Sequence, residues 1–373
     1  MLTKRALCFP MIGESLKIRF SHIRLNLSSG SFVAGLILTV IGVTMILCSL
    51  LIQPQSFQDV NTSIVFKEAR IEYLEKRNYT YILDQSFLLK NPLNNSVSEL
   101  VYVQIPVNAS NQFVKLIGTN VMPLYKKVDN DGVEMLVFNV SLPAGGTIWI
   151  NTTLQVTVEA YSLLIENMPW LNLSQVEENT GGKRYWAAGN KTYIALAKEI
   201  GLSARDPISA SYAVGKWIAD NLIYTPTWRR GAEQALIIEN GSLRVFGDCE
   251  EVADVFVTLT RILGIRSRVA HGIYLLEGDK EVTTMWIKIT NGTLEWSENW
   301  GGHAWPQIYV PQVGWVDVEL LEEEGVVKIG NFSQYHVKYG FEEKSFLGST
   351  ILYCRSMFLE TDALYFTFRR VES

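Results

Sequence analysis

From about Ser63 to Leu164 apolar and polar residues alternate in short runs, among them TYILDQSFLL, ELVYVQIPV, EMLVFNVSL and GTIWINTTLQVTVEAY. The runs break at NPLNNS, NAS, DNDG and PAGG, where turn residues cluster. A period of two, punctuated roughly every ten residues, predicts an antiparallel, immunoglobulin-like β-sandwich, assigned to residues 60–165. No cluster of His, Cys or carboxylates interrupts these runs, so this part reads as support or binding surface and not as a site of catalysis.

The period then changes. Residues 166–190 are irregular and read as a linker, and KTYIALAKEIG and DPISASYAVGKWIADNL follow with helical spacing. In the second, Pro207 stands just inside the start, where its missing N–H costs nothing. Its apolar set Ile208, Tyr212, Ala213, Trp217 and Ile218 marks Trp217 as core. A third helix begins in GDCEEVADVFVTLTRILGI. Asp248 with Glu251 three positions on makes a capping box, which puts Cys249 in the first turn. Val252, Val255, Phe256, Leu259 and Leu263 form one stripe, and Gly264 stops the helix. The segments RVAHGIYLLE, TTMWIKIT, TLEWSENW and GGHAWPQIYVPQVGWVDVEL then read as strands, with a tight turn at Asn291-Gly292. Pro306 removes a ladder donor and implies an edge or a bulge. Helices first and strands later predict an α+β domain, assigned to residues 191–373. Its last part, residues 331–373, suggests two or three closing strands without an assignable role.

The N-terminus alters the class. Residues 32–52 run without a charge for a length that suits a transmembrane helix. A cleaved signal peptide would have a shorter apolar core, so a retained anchor is the better reading. Cys48 follows Leu47 where a lipid-modified cysteine would follow a small residue, so it reads as a lipid-facing thiol. Residues 1–31 carry five basic side chains and one acidic, which keeps this tail cytoplasmic and sends the rest outside. The expected location is therefore the plasma membrane, single-pass, with extracellular C-terminal domains. Sequons at Asn61, Asn78, Asn94, Asn108, Asn139, Asn151, Asn172, Asn190, Asn240, Asn291 and Asn331 agree with an N-glycosylated, exported surface. The net charge is −5 and the tail is +4, leaving −9 on the remainder, which has no electrostatic footprint for nucleic acid. Beyond residue 52 only Cys249 and Cys354 remain, too few for a disulfide framework. Many sequons with few cysteines look more archaeal than animal.

A thiol at a helix start meets unpaired backbone N–H groups and the positive end of the dipole, both favouring thiolate. Glu250 and Glu251 oppose this if they face the sulfur, and an inert buried cysteine is the plain alternative. A nucleophile needs a base and a group to orient that base. Of four histidines, His22 lies in the tail, His271 and His336 lie in strand-like runs, and His303 opens HAW just before a run ending VDVEL. A carboxylate there can reach His303 from the neighbouring strand. No HExxH or CxxC occurs, and His303 and His336 lack paired ligand spacing, so neither a metal nor a cofactor is expected.

GDCEEVADVFVTLTRILGIRSRVAHGIY followed by HAWPQIYVPQVGWVDVE resembles the transglutaminase-like superfamily, whose core belongs to the papain-like cysteine enzymes. The resemblance covers roughly Ile208 to Leu321, and the sandwich before it is similar to modules found in membrane-anchored prokaryotic members. It implies a fold in which a central helix carries Cys against an antiparallel sheet. It implies Cys249 as nucleophile and His303 as base. The family's acid usually stands four residues after the Trp of Gly-Trp, which selects Glu319, with Asp317 as the alternative two positions earlier. The backbone N–H of Cys249 would serve the oxyanion, helped by Tyr224 or Trp228, though both can equally be packing residues. Trp296 and Trp300 are candidates for lining the cleft, with ordinary sheet packing the equal alternative.

The implied function is thiol-dependent acyl transfer on peptide or amide bonds of a protein or peptide substrate, leaning to hydrolysis over cross-linking. The competing reading is a non-catalytic surface or envelope protein with a degenerate core. It requires the Cys249 sulfur to be out of reach of His303, or bonded to Cys354.

Overall fold

The computed structural model describes residues 69–170, 182–226, 229–275, 282–290, 293–295, 300–344 and 354–371, with the strand path alone for 282–290, 293–295 and 300. The tail 1–31 and the apolar run 32–52 lie outside the described residues, and among the described helices none is long and apolar enough to cross a membrane.

In chain order the first strands are β1 (Arg70–Lys90), β2 (Val97–Gln104), β3 (Gln112–Thr119), β4 (Tyr125–Val128), β5 (Glu134–Leu142) and β6 (Thr147–Glu166). Then come α1 (Lys191–Gly201), α2 (Pro207–Asn221), β7 (Leu222–Tyr224), α3 (Ala232–Ala235), β8 (Leu236–Glu239), β9 (Ser242–Gly247) and α4 (Cys249–Ile262). The remaining strands are β10 (Ser267–Leu275), β11 (Val282–Thr290), β12 (Thr293–Glu295), β13 (Trp300–Val310), β14 (Gly314–Glu319), β15 (Lys328–Ile329), β16 (Asn331–Phe332), β17 (His336–Glu342), β18 (Cys354–Arg355) and β19 (Glu360–Val371).

The alternation in the first half does form strands. β1 and β6 pair antiparallel from Arg70↔Glu166 to Lys90↔Thr147. Their inward residues include Leu83, Phe87, Leu89, Ile150, Leu154 and Val156, all fully buried. They face the β2–β5 pair, which contributes Val101, Val103, Phe138 and Val140.

The two sheets are completed from the far end of the chain. The larger runs β12-β11-β19-β1-β6-β16 with β3 also on β6, and the smaller runs β18-β2-β5-β4. Residues 191–373 are therefore not a separate unit: Phe66–Ser373 is one compact body. A 21-residue strand such as β1 would expose a long row of unpaired groups on its second edge. β19 covers that edge from Thr80↔Val371 to Lys90↔Glu360. The stretch read as a linker at 166–190 also packs in part, since β6 continues to Glu166 and Trp186 is buried.

The second half builds a five-stranded antiparallel sheet, β15-β14-β13-β10-β17, with α4 against β13 and β10. α4 is buried all round, where the sequence indicated one stripe. Val252, Val255, Phe256 and Leu259 join the main core. Ala253 and Val257 meet Trp186, Val269 and Ala304 on the opposite face. On α2 the expected face holds at Ile218, buried, and at Ile208 and Trp217, which pack against the core, but not at Tyr212. Tyr212 is exposed, while Ala210, Ser211, Val214, Gly215 and Ile218 are buried. A β-carbon at Gly215 would stand 2.8 Å from Val327 and 2.9 Å from Leu320, so contact runs along small residues that a hydrophobicity pattern overlooks. Pro306 is in neither an edge strand nor a bulge: it pairs opposite Val269 in the middle of the sheet. It lies one residue before the Gln307–Val310 stretch that pairs with β14.

Candidate active site

Three elements bring the candidate residues together. α4 starts at Cys249 because Asp248 caps it: the Asp248 carboxylate accepts from Glu250 N–H at 3.0 Å, and Glu251 accepts from Asp248 N–H at 3.3 Å. The fully buried Glu251 carboxylate also accepts from Arg230 N–H at 2.7 Å, tying the incoming loop to the same helix start. Gly247 allows this, since a β-carbon there would fall 2.5 Å from the Glu251 side chain.

His303 comes from β13 and Glu319 from β14. Glu319 Oε2 lies 3.0 Å from His303 Nε2, and Cys249 shares the cleft wall with His303, close enough to raise the pKa of its ring. An ionised carboxylate only accepts, so Nε2 carries the proton and Nδ1 is left for the sulfur. The Trp305 ring stacks on His303 with centroids 5.5 Å apart. Burial alone would lower the His303 pKa, but the Glu319 charge and the hydrogen bonds to Cys249 and Glu319 push it up to about 10. Burial would likewise raise the Glu319 carboxyl, yet the His303 charge and the N–H donations of His303 and His336 hold it well below the usual carboxylate range.

Asp317, two residues away on the same face of β14, has different partners. It accepts from Trp305 Nε1 at 2.8 Å, Gln307 Nε2 at 2.6 Å, Lys338 Nζ at 2.9 Å and Tyr161 Oη at 2.9 Å. Its set joins the sandwich strand β6, through Tyr161, to the core sheet. Of the two acids it is Glu319 that touches His303.

Cys249 and His303 open onto a cleft of about 790 Å³ whose walls include Leu222, Tyr224, Tyr274, Gly301, Gly302 and Leu321. Tyr224 is half exposed there. Burial, then the Cys249 and Asp248 charges, push its hydroxyl up to about 12, so it remains a donor. Trp228 and Trp296 lie outside the described residues, and Trp300 is described only as the first residue of β13. Cys249 and Cys354 are both free, and Cys354 sits on β18 opposite Val103.

His336 was not legible as part of this site. It is on β17, buried, with Nε2 2.9 Å from Glu319 Oε2 and Nδ1 3.0 Å from Ser333 Oγ. The one signal in the chain is HVKYGFE, a strand with charged residues at alternate positions. The potential ligand atoms of His303, Glu319 and His336 lie within 4.8 Å of one another. Glu319 Oε2 meets both imidazoles directly at N–H···O distances, and Oε1 accepts from Leu320 and Leu321 N–H at 2.8 and 2.7 Å. His271 lies elsewhere on β10, buried beside Glu342 at 3.2 Å. Glu342 also takes Arg229, which pairs bidentately with Asp254 on α4.

Of the described asparagines in sequons, Asn78, Asn94, Asn108, Asn139, Asn151, Asn240 and Asn331 are exposed. Asn190 is half-buried and caps α1 through Thr192 N–H. Asn61, Asn172 and Asn291 lie outside the described residues.

Residues 194–320, which include Cys249, His303 and Glu319, match the transglutaminase-like superfamily. Ser333 and His336 lie beyond the matched stretch. No curated protein matches the chain. Among solved structures it is similar to a Cytophaga hutchinsonii protein proposed to be a cysteine protease, at 10% identity and a TM-score of 0.49, covering 82% of this chain and 94% of that one. It is also similar to the periplasmic domain of TgpA from Pseudomonas aeruginosa bound to ethylmercury, at 14% identity and a TM-score of 0.31, covering 65% of this chain and 88% of that one.

Proposed function

We propose that this protein is a cysteine-dependent acyl-transfer enzyme acting on peptide or amide bonds, with hydrolysis favoured over cross-linking. The observation that carries the reading is the His303–Glu319 hydrogen bond, set with Cys249 in the wall of one open cleft. The Glu319 charge holds His303 as an imidazolium facing the Cys249 sulfur. Sγ attacks the carbonyl carbon, and the oxyanion receives the Cys249 backbone N–H and the Tyr224 hydroxyl. The C–N bond breaks as His303 gives its Nδ1 proton to the departing amine, leaving a thioester. Water then attacks the thioester and gives a proton to His303. The acid is released, and the Cys249–His303 pair is restored. An amine in place of water would give cross-linking by the same steps.

The chain works, in this proposal, at the outer surface of a prokaryotic cell of archaeal type, anchored through residues 32–52 with the tail 1–31 in the cytoplasm. The exposed sequon asparagines and the basic flank before the apolar run support that orientation. The test is a peptide-library cleavage assay run beside an amine-incorporation assay, with Cys249→Ala as control. New peptide termini that vanish in the variant support hydrolysis, and incorporated amine supports transfer. Equal signal from both proteins sinks the enzyme reading.

A further inference from the structure

We propose that His336 is a positioning residue that fixes Glu319, and through it the His303 ring, in the orientation that keeps the Cys249–His303 pair reactive. The inference rests on Cys249 being the nucleophile.

The geometry leaves little freedom. Glu319 Oε2 meets His336 Nε2 at 2.9 Å and His303 Nε2 at 3.0 Å, and its other oxygen is occupied by two backbone N–H groups. Because the ionised carboxylate can only accept, His336 donates from Nε2. In a neutral ring Nδ1 is then an acceptor, which the Ser333 hydroxyl supplies with a proton at 3.0 Å. Ser333 thus selects the His336 tautomer, His336 orients the carboxylate, and the carboxylate orients His303. The His336 ring is held by Phe332, Tyr274 and Trp305, with centroids 4.6, 4.8 and 5.0 Å away. The titratable groups that face it are Glu319 on β14, Glu322 just after it, His303 on β13 and Tyr274 on β10. Glu322 is engaged with Lys328 and the Tyr274 hydroxyl, so of the two carboxylates Glu319 is the one His336 bonds. Gly272 brings the strands this close: a β-carbon there would strike the Val337 carbonyl at 2.0 Å.

A buried histidine with only a packing role would affect stability alone. A positioning role also affects the pH profile of the thiol, and that profile separates the two. The test measures the rate of Cys249 carboxamidomethylation from acid to alkaline pH in the full chain and in His336→Phe, His336→Gln and Ser333→Ala. In parallel, 15N NMR of histidine-labelled protein reports the His336 tautomer. His336→Phe keeps a ring of similar size without a donor. It is expected to lose about ten- to a hundredfold of the wild-type rate at acid pH, the scale of one charge-assisted hydrogen bond. His336→Gln, whose amide still donates, is expected to retain most of it. Ser333→Ala is expected to lose several-fold and to mix the two tautomers. A folded His336→Phe with an unchanged profile overturns the inference and leaves the nucleophile assignment standing. Should that variant not fold, an unchanged rate and tautomer in Ser333→Ala overturn it as well. A wild-type chain without acid-pH reactivity overturns the nucleophile assignment and this inference with it.

Discussion

Glu319 and Asp317 point to the same side of β14 and differ only in what stands opposite, so substitutions can separate their roles. With its carboxylate, His303 keeps its proton up to about 10. Glu319→Gln removes the favourable charge and leaves the burial cost, so the folded pKa should fall to the ordinary imidazole value of about 6.5 or below. The alkaline limb of the rate–pH profile should move down with it, and turnover at neutral pH should fall by on the order of a hundredfold or more. Asp317→Asn should do something else. It leaves the Lys338 ammonium buried without its partner, which costs about 3–5 kcal/mol in urea unfolding, while the alkaline limb of the folded fraction stays in place. The Asp317 carboxyl is held below its usual range by Lys338, Trp305 and Gln307 against the opposing effect of burial. Its stabilising contribution is therefore present above an unfolded pKa of about 3.9 and fades as the pH falls through the lower folded value. Glu319 is legible in the chain itself, because the family's spacing from the Trp of GWVDVE lands on it. His336 is invisible at that level because its partner is 17 residues away along the chain and is met only once β17 lies beside β10.

At the scale of elements, local signals read well and tertiary ones did not. The Asp248–Glu251 box and Pro207 at the start of α2 are carried by neighbouring residues, and those helices begin there. The all-round burial of α4 was hidden, since the second face is covered by Trp186 and by the Arg229–Asp254 pair, both distant in sequence or charged. Capping has a functional consequence as well as a stabilising one. Asp248→Ala should cost about 1 kcal/mol, the usual loss at an N-cap, seen as a lower urea midpoint. Because Cys249 is the next residue, the same change should lower the catalytic efficiency by more than the unfolded fraction explains. An efficiency that follows the folded fraction alone would mean that the cap only stabilises.

At the scale of the whole molecule, the boundary between support and core is not a point in the sequence. Alternation identified the strands of the first half, but alternation cannot say which strand pairs with which. One of the two partners of β1 is β19, from the far end of the chain. Deleting residues 354–373 should therefore do more than trim a terminus. It removes β19 from between β11 and β1, exposing the inner edge of β1 and the partners of Phe366 and Phe368, both buried. The truncated chain is expected to lose cooperative melting and to be cut rapidly within β1 in limited proteolysis. A truncation that melts like the full chain would show the first sheet to be independent of its last strand. The same closure links sandwich and site, since Tyr161 of β6 holds Asp317, which holds the Trp305 ring stacked on His303.

The most direct measurement uses the two described cysteines against each other. Burial pushes the Cys354 thiol up to about 12, so it serves as an internal control for Cys249. The full chain is treated with iodoacetamide at neutral and mildly acidic pH, and modification at each cysteine is followed by mass spectrometry, with Cys249→Ala in parallel. Rapid labelling confined to Cys249, persisting below the pH at which a free thiol reacts, is the expected result. Equal, slow labelling of Cys249 and Cys354, rising only at alkaline pH, would contradict an activated nucleophile at the start of α4.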